Sequence, residues 1–296
     1  MQIFVRVAET NSFSKAADTL NLPRATVSTV IQQLEMHLSV RLMNRTTRKV
    51  SLTLDGSAYY DRCVRLLADL EETEAYFRQD KAKPRGKLKV DLPIRLARLV
   101  IIPLLPEFFA AYPDIELELG VTDRPVDLIQ EGVDCAIRVG ELADSRLVAK
   151  RIGAMHEINC ASPSYLAKFG TPESIEDLAN HIAVKYASPA TGKVYDWEYI
   201  ENGEVKTVAM KGNVSVNNSE AYVASAVAGL GLVQLPMYDS FELLESGKLV
   251  EILKEYKTKP LPLSVVYPHR RHLSHRVRAF VEWVETICVG KFGALN

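Results

Sequence analysis

Apolar residues at the start of the chain recur at helical steps. Residues 2–10 put Ile3, Phe4, Val7 and Ala8 on one face, and Asn11-Ser12-Phe13 interrupts the pattern. A second short helix is predicted with Ala16, Ala17 and Leu20 inward and Ser14 as its N-cap. Beyond Asn21-Leu22-Pro23, with Pro23 suited to a helix's first turn, Val27, Ile31, Leu34 and Leu38 mark a third helix. Its opposite face carries Ala25, Ser28, Thr29 and Gln32, small or hydrogen-bonding groups with no acid among them. Two helices across a tight turn, the second with a polar outer face, fit a DNA-reading helix-turn-helix. A helical hairpin inside a larger core shares the pattern.

The pattern then shortens. Arg45-Thr46-Thr47-Arg48-Lys49 form a basic, β-prone turn before the apolar strand Val50–Leu52, the form of a wing whose cations reach phosphates or the minor groove. Thr53 can cap a long helix over 54–80, in which Tyr59, Cys63, Leu66, Leu70, Thr73 and Phe77 keep heptad spacing. That stripe suits pairing with a second copy of the chain, or packing on the chain's own body. Residues 80–87 read as a polar hinge. From Leu88 onward short apolar runs at 88–92, 115–121, 135–139, 213–217, 232–235 and 263–267 predict strands. Helices are predicted near 99–111, 126–131, 219–228, 237–246 and 273–289. The alternation predicts α/β units with largely parallel sheets, long enough for two small lobes with a ligand cleft at the strand ends.

Composition changes this picture little, and charge sharpens it. The 296 residues are 47% hydrophobic and 25% charged, with net charge −1. Residues 1–58 carry seven basic and four acidic side chains, a local +3, leaving −4 for the rest. A basic head on an acidic body suits phosphate binding by the head alone. No 18-residue apolar run and no signal-like N-terminus occurs, so the chain is expected to be cytoplasmic, with no membrane partner. Because the chain begins inside a helical pattern, a few residues before Met1 are expected. Cys63, Cys135, Cys160 and Cys288 lack metal or redox spacing and read as reduced, buried thiols.

Candidate catalytic chemistry is sparse. His269, His272 and His275 are spaced like metal ligands but stand among Arg270, Arg271 and Arg276, which would repel a cation. Thr191-Gly192-Lys193 lacks the hydroxyl residue and first glycine of a phosphate loop, and Gly229-Leu230-Gly231 lacks a third glycine. Neither G-x-S-x-G nor H-E-x-x-H occurs. No enzyme activity, metal or cofactor is expected.

Several stretches together resemble the LysR-type transcriptional regulators: F-V-R-V-A-E-T-N-S-F-S-K-A-A-D-T-L at 4–20, V-S-T-V-I-Q-Q-L-E at 27–35 and R-L-M-N-R-T-T-R-K-V-S-L-T-L-D-G at 41–56. Y-P-D-I-E-L at 112–117, E-G-V-D-C-A-I-R-V-G at 131–140 and A-G-L-G-L-V-Q-L-P at 228–236 look like that family's effector domain. The resemblance implies an α/β architecture: a winged helix-turn-helix over 1–58, a dimerising linker helix and hinge over 59–86, and a two-lobed effector domain over 87–296 similar to periplasmic binding proteins. The lobes would comprise about 87–160 with 265–296, and about 161–264. Homodimers or homotetramers on interrupted inverted repeats of duplex DNA are implied, with RNA polymerase left open as a partner.

By position, the resemblance assigns DNA contacts to Arg24, Ala25, Ser28 and Thr29, with Arg45 and Arg48 at the wing; Gln32 and Lys49 extend the two surfaces. Arg24 stands where relatives often have Gln, and can grip a guanine or a phosphate. Thr29 replaces a common Arg, so it should discriminate its base step more weakly. A small-molecule effector, an organic acid or aromatic, is placed by the same likeness at Arg95, Leu96, Thr122, Arg138, Gly140, Asn217 and Asn218. Arg95 replaces a usual Ser or Thr. Pointing inward it would clamp an acid bidentately, and pointing outward it would be a surface arginine.

Overall fold

The computed structural model describes residues 1–45, 50–77, 83–142, 147–268 and 273–292. They form two compact units, Met1–Gly86 and Lys87–Asn296. The first contains α1 (Gln2–Thr10), α2 (Phe13–Leu20), α3 (Arg24–Leu38), the hairpin β1 (Met43–Arg45) and β2 (Val50–Leu52), and α4 (Leu54–Phe77). Phe4, Val7, Ala16, Val27, Ile31, Leu42 and Cys63 pack as its core, which accounts for the helical spacing of these apolar residues. Asn11, Asn21 and Ser39 close the three helices in the left-handed region. At Asn11 and Asn21 a short polar side chain tolerates that geometry best.

Two details of the helix ends differ from expectation. Ser12, not Ser14, caps α2, its Oγ accepting the Lys15 N–H at 3.3 Å. Pro23 precedes α3 as its N-cap instead of sitting in the first turn. Thr53 does cap α4, accepting the Gly56 N–H at 2.9 Å while donating to the Arg41 carbonyl at 2.7 Å. A Cβ on Gly56 would lie 1.9 Å from the Leu42 carbonyl oxygen, so glycine is what lets α4 approach the base of the hairpin. Glu35 accepts the N–H groups of Leu42 and Met43 at 2.9 and 3.0 Å, tying α3 to the start of β1. Along α4, Tyr59 meets Phe4 edge-on and Cys63 is buried, but Leu66 and Leu70 are 54% and 50% exposed. The side chains of Thr73 and Phe77 fall outside the described residues.

The second unit begins with β3 (Gly86–Leu92), followed by a helical run made of α5 (Ile94–Leu96), a π-turn (Ala97–Ile101) and α6 (Ile102–Ala111). Then come β4 (Ile115–Val121), β5 (Cys135–Val139), β6 (Leu147–Met155), β7 (Glu157–Ala161), α7 (Pro163–Phe169) and β8 (Lys185–Tyr186). The hairpin β9 (Trp197–Glu201) and β10 (Glu204–Val208) leads to β11 (Ser215–Val216), α8 (Ser219–Val227), β12 (Val233–Pro236) and α9 (Met237–Glu245). The chain finishes with β13 (Val250–Glu251), β14 (Leu261–Pro268) and α10 (His275–Phe292).

Five strands in the order β4-β3-β5-β14-β6 form the sheet of a first lobe, and β12-β7-β13 the centre of a second. The chain crosses between them at His156 and returns before Leu261. The sheets are mixed, not largely parallel: β3 runs parallel to β5, while β14 is antiparallel to β5 and β6, and β7 to β12 and β13. Helices α6 and α10 cover the first sheet, with Phe108, Phe280 and Val284 on Leu88, Val90 and Val265. The stretch 126–131 is not a helix but leads into turns at 128–132, because the Asp127 carboxylate takes the N–H groups of Ile129 and Gln130 at 3.0 and 2.9 Å. All four cysteines are buried and unbridged, and burial raises Cys160 and Cys288 to about 12.

Candidate DNA-reading and effector sites

Helix α3 presents Arg24, Ala25, Thr29 and Gln32 to solvent, with Ser28 half-buried, while Val27 and Ile31 anchor the other face. Arg24 has no ion-pair partner among the described residues, so its guanidinium is available to a base edge or a phosphate. The Thr29 hydroxyl donates to the Ala25 carbonyl at 3.0 Å, leaving an acceptor oxygen and a methyl group for a ligand. The hairpin places the Arg45 backbone opposite Val50, in the pair farthest from its open end. The side chain of Arg45, and all of Arg48 and Lys49, lie outside the described residues, as do His269 and His272.

In the second unit the two arginines expected to hold an acid are already engaged. Arg95 is 5% exposed, which excludes the surface alternative. Its Nε bonds to Asp239, its Nη1 to Glu220 at 2.7 Å and its Nη2 to the Asp239 carbonyl at 3.3 Å. Arg98 joins Glu220 at 2.8 Å. Arg95 thus points inward, into an ion-pair cluster that ties the first lobe to α8 and α9 of the second, as a buried guanidinium needs carboxylates. Burial pushes the Asp239 carboxyl up to about 6 against the opposing pull of Arg95. Arg138 likewise pairs with Asp91 at 2.7 Å and donates to its neighbour's carbonyl, Ile137, at 2.9 Å. Burial raises the Asp91 carboxyl although Arg138 lowers it.

The remaining expected residues divide similarly. Leu96 is wholly buried in the first lobe's core, so its side chain has no surface to offer a ligand. Asn218 spends its side-chain oxygen capping α8, accepting the Ala221 N–H at 3.0 Å, whereas Asn217 is exposed. Thr122 ends β4's run, its N–H bonded to the Leu92 carbonyl at 2.9 Å and its Oγ1 accepting from Arg124 at 3.2 Å. Gly140, at φ +92°, closes β5 with its N–H on the Pro262 carbonyl at 2.8 Å.

Between Thr122 and Arg124, on a segment expected at the effector cleft, Asp123 makes the contact that joins the lobes. Asp123 Oδ1 accepts the Ile94 N–H at 3.1 Å, and Oδ2 the Ser219 N–H at 2.6 Å. These are the first amides of the helical run 94–111 in one lobe and of α8 in the other. One carboxylate thus bridges two helix N-termini, where unsatisfied N–H groups and helix dipoles favour an anion. Tyr186 is near enough to feel it: its phenol is raised by burial first and by the Asp123 charge second. Tyr195 and Tyr222 stack and edge on Tyr186 at 6.4 and 5.2 Å. The Ser219 Oγ is buried there with no hydrogen-bond partner among the described residues.

Known proteins agree with this arrangement over nearly the whole chain. Residues 1–57 match the family described as bacterial regulatory helix-turn-helix protein, lysR family, and residues 81–288 match the LysR substrate binding domain. An uncharacterized HTH-type transcriptional regulator of Escherichia coli K12, YhjC, is 43% identical over 96% of this chain and 95% of its own. An HTH-type transcriptional repressor of Pseudomonas aeruginosa is 41% identical over 96% and 90%. The solved structure of CrgA, a LysR-type transcriptional regulator from Neisseria meningitidis, is 32% identical, covers 96% of each chain and superposes with a TM-score of 0.61. Among the described residues no helix is long and apolar enough to cross a membrane. The chain belongs to the LysR family of transcriptional regulators, with a helix-turn-helix DNA-binding domain followed by an effector-binding substrate domain.

Proposed function

We propose that this regulator senses a small organic acid, aliphatic or aromatic, whose carboxylate exchanges with that of Asp123 between the two lobes. The observation that supports this reading is the single carboxylate held by one N–H from each lobe, at 3.1 and 2.6 Å. A ligand carboxylate swung into that position gains the same donors, with Thr122, Gly140, Asn217 and Asn218 on the surrounding segments. Arg95 acts indirectly, by holding the ion pairs that join the lobes, and Arg138 by pairing with Asp91 inside the first lobe. Exchange at Ser219 changes the link between lobes, and the ligand shifts the regulator only through its different affinity for the two arrangements.

On DNA, α3 reads an interrupted inverted repeat through Arg24, Ala25, Ser28, Thr29 and Gln32, while Arg45, Arg48 and Lys49 hold phosphates. The exposed Leu66 and Leu70 of α4 pair two chains, as a homodimer or within a homotetramer, at cytoplasmic promoters where RNA polymerase is a further partner.

The test uses full-length protein and a labelled duplex selected by the protein from a random library. Anisotropy should show affinity falling steeply as salt rises, as phosphate contacts require. Calorimetry with a panel of mono- and dicarboxylates should find an acid whose affinity changes in Asp123→Asn while acid-free DNA binding does not. Equal affinity in both proteins, or no acid bound at all, rejects the exchange.

A further inference from the structure

A cavity lies between the lobes on residues that the Asp123 contacts do not use. Its volume is about 650 Å³, within the roughly 300–1,000 Å³ typical of small-molecule sites. The first lobe supplies Leu99, Val100 and Met155, and the second Val223, Met237 and Phe241. Met237 and Phe241 are one turn apart on α9 and are 56% and 59% exposed, so two large apolar side chains face water. Covering them is favourable through the hydrophobic effect alone.

Charge then narrows what covers them. Arg95 and Asp239 also line the cavity but satisfy each other, and Arg98 is committed to Glu220. Lys248, just after α9, and Lys291, at the end of α10, contribute one ammonium from each lobe. Neither has an ion-pair partner among the described residues, and Glu242 is the one lining carboxylate besides Asp239. Walls that are about half apolar, with two uncommitted cations set against the Glu242 carboxylate, complement a ligand with an apolar body and a single negative charge.

We infer that this groove is a second ligand site, for a carboxylic acid with an aryl or alkyl body. The body rests on Met237 and Phe241, and the carboxylate reaches Lys248 and Lys291. Because its walls belong to different lobes, an occupant fixes the angle between them, so it biases the same lobe equilibrium as the Asp123 position. The inference does not depend on an acid binding at Asp123.

The probes are 4-phenylbutyrate and its neutral amide, titrated by calorimetry into the full chain. Wild type should bind the acid with a sub-millimolar dissociation constant. Replacing both lysines (Lys248→Ala with Lys291→Ala) should weaken the acid at least tenfold and leave the amide unchanged. Phe241→Asp should weaken both compounds, and Asp123→Asn neither; the mutated side chains are exposed or half-exposed, and melting curves verify that each variant folds. No binding to wild type, or unchanged acid affinity in the lysine variant, overturns the inference. Loss of binding in Asp123→Asn alone also overturns it, by placing the acid at the other position. A fall in sedimentation coefficient in Phe241→Asp, with no acid bound by wild type, assigns the groove to a second copy of the chain instead.

Discussion

Replacing Asp123 by alanine removes one carboxylate and strands two backbone donors at once. Both bonds are charge-assisted, at 3.1 and 2.6 Å, and each such bond contributes about 1.5–3 kcal/mol. Asp123 is half-buried, so solvent screens part of the summed contribution of about 3–6 kcal/mol and leaves roughly 2–4 kcal/mol in total. For a unit of this size 1 kcal/mol moves the midpoint by about 2–4 °C, so the second unit should melt on the order of 10 °C lower. The assay is calorimetric melting of the full chain, with the variant also scanned in formate. Formate fits the vacated position, accepts from the Ile94 and Ser219 amides, and should restore several degrees at tens of millimolar. Sodium chloride at equal ionic strength should not. A variant that melts within about 1 °C of wild type, or that formate stabilises no more than it stabilises wild type, refutes the reasoning.

Arg95→Ala leaves the buried Asp239 without its cation, while the half-exposed Glu220 keeps Arg98, and should cost about 3–5 kcal/mol, read as a lowered denaturation midpoint. If midpoint and effector response both stay at wild-type values, the ion-pair cluster carries no weight. Asp239 sets a pH dependence of definite sign. Its carboxyl holds a proton up to about 6, above its ordinary value, so the stability it contributes is full below about pH 4 and is lost as pH rises through 6. Denaturant titrations at pH 5 and 7.5 should therefore show wild type gaining more on acidification than Asp239→Asn; parallel shifts would exclude that residue. Arg24→Ala should lower specific DNA affinity about 5- to 150-fold. Relaxed preference at one base pair identifies a base contact, while a salt slope reduced by about one identifies a phosphate contact. Leu66→Asp with Leu70→Asp should shift sedimentation to the monomer, because both side chains are half-exposed along the α4 seam.

Legibility in the sequence followed contact distance along the chain. The outward face of α3, the cap at Thr53 and the strands at 88–92, 115–121 and 135–139 rest on spacing within a few residues, and all are present. Strand β6 was not legible: Lys150-Arg151 and the neighbouring alanines favour no strand, yet eight residues of β14 pair with it and impose one. The β9–β10 hairpin has no apolar alternation, and its signal is the Asn202-Gly203 pair, both at positive φ (53° and 81°). The site was least legible. Arg95 meets its partners 125 and 144 residues away, and Asp123 binds amides 29 and 96 residues away, so no local pattern announces either.

These long-range pairings have a consequence for the regulator's sensitivity. A cation in a cleft reads as a ligand clamp only while its counter-charge is unknown. Here the chain supplies carboxylates of its own at Arg95, at Arg138 and at the paired helix N-termini. Under the exchange proposed above, an effector acid competes at the last of these with a tethered rival. If Asp123 biases the occupied arrangement by the roughly 2–4 kcal/mol worked out above, an acid's apparent affinity falls about 30- to 1,000-fold below its intrinsic value. A micromolar site then responds at tens of micromolar to millimolar concentrations, as suits a regulator that reports an abundant metabolite. Asp123 would thus set the threshold of the response without touching the effector.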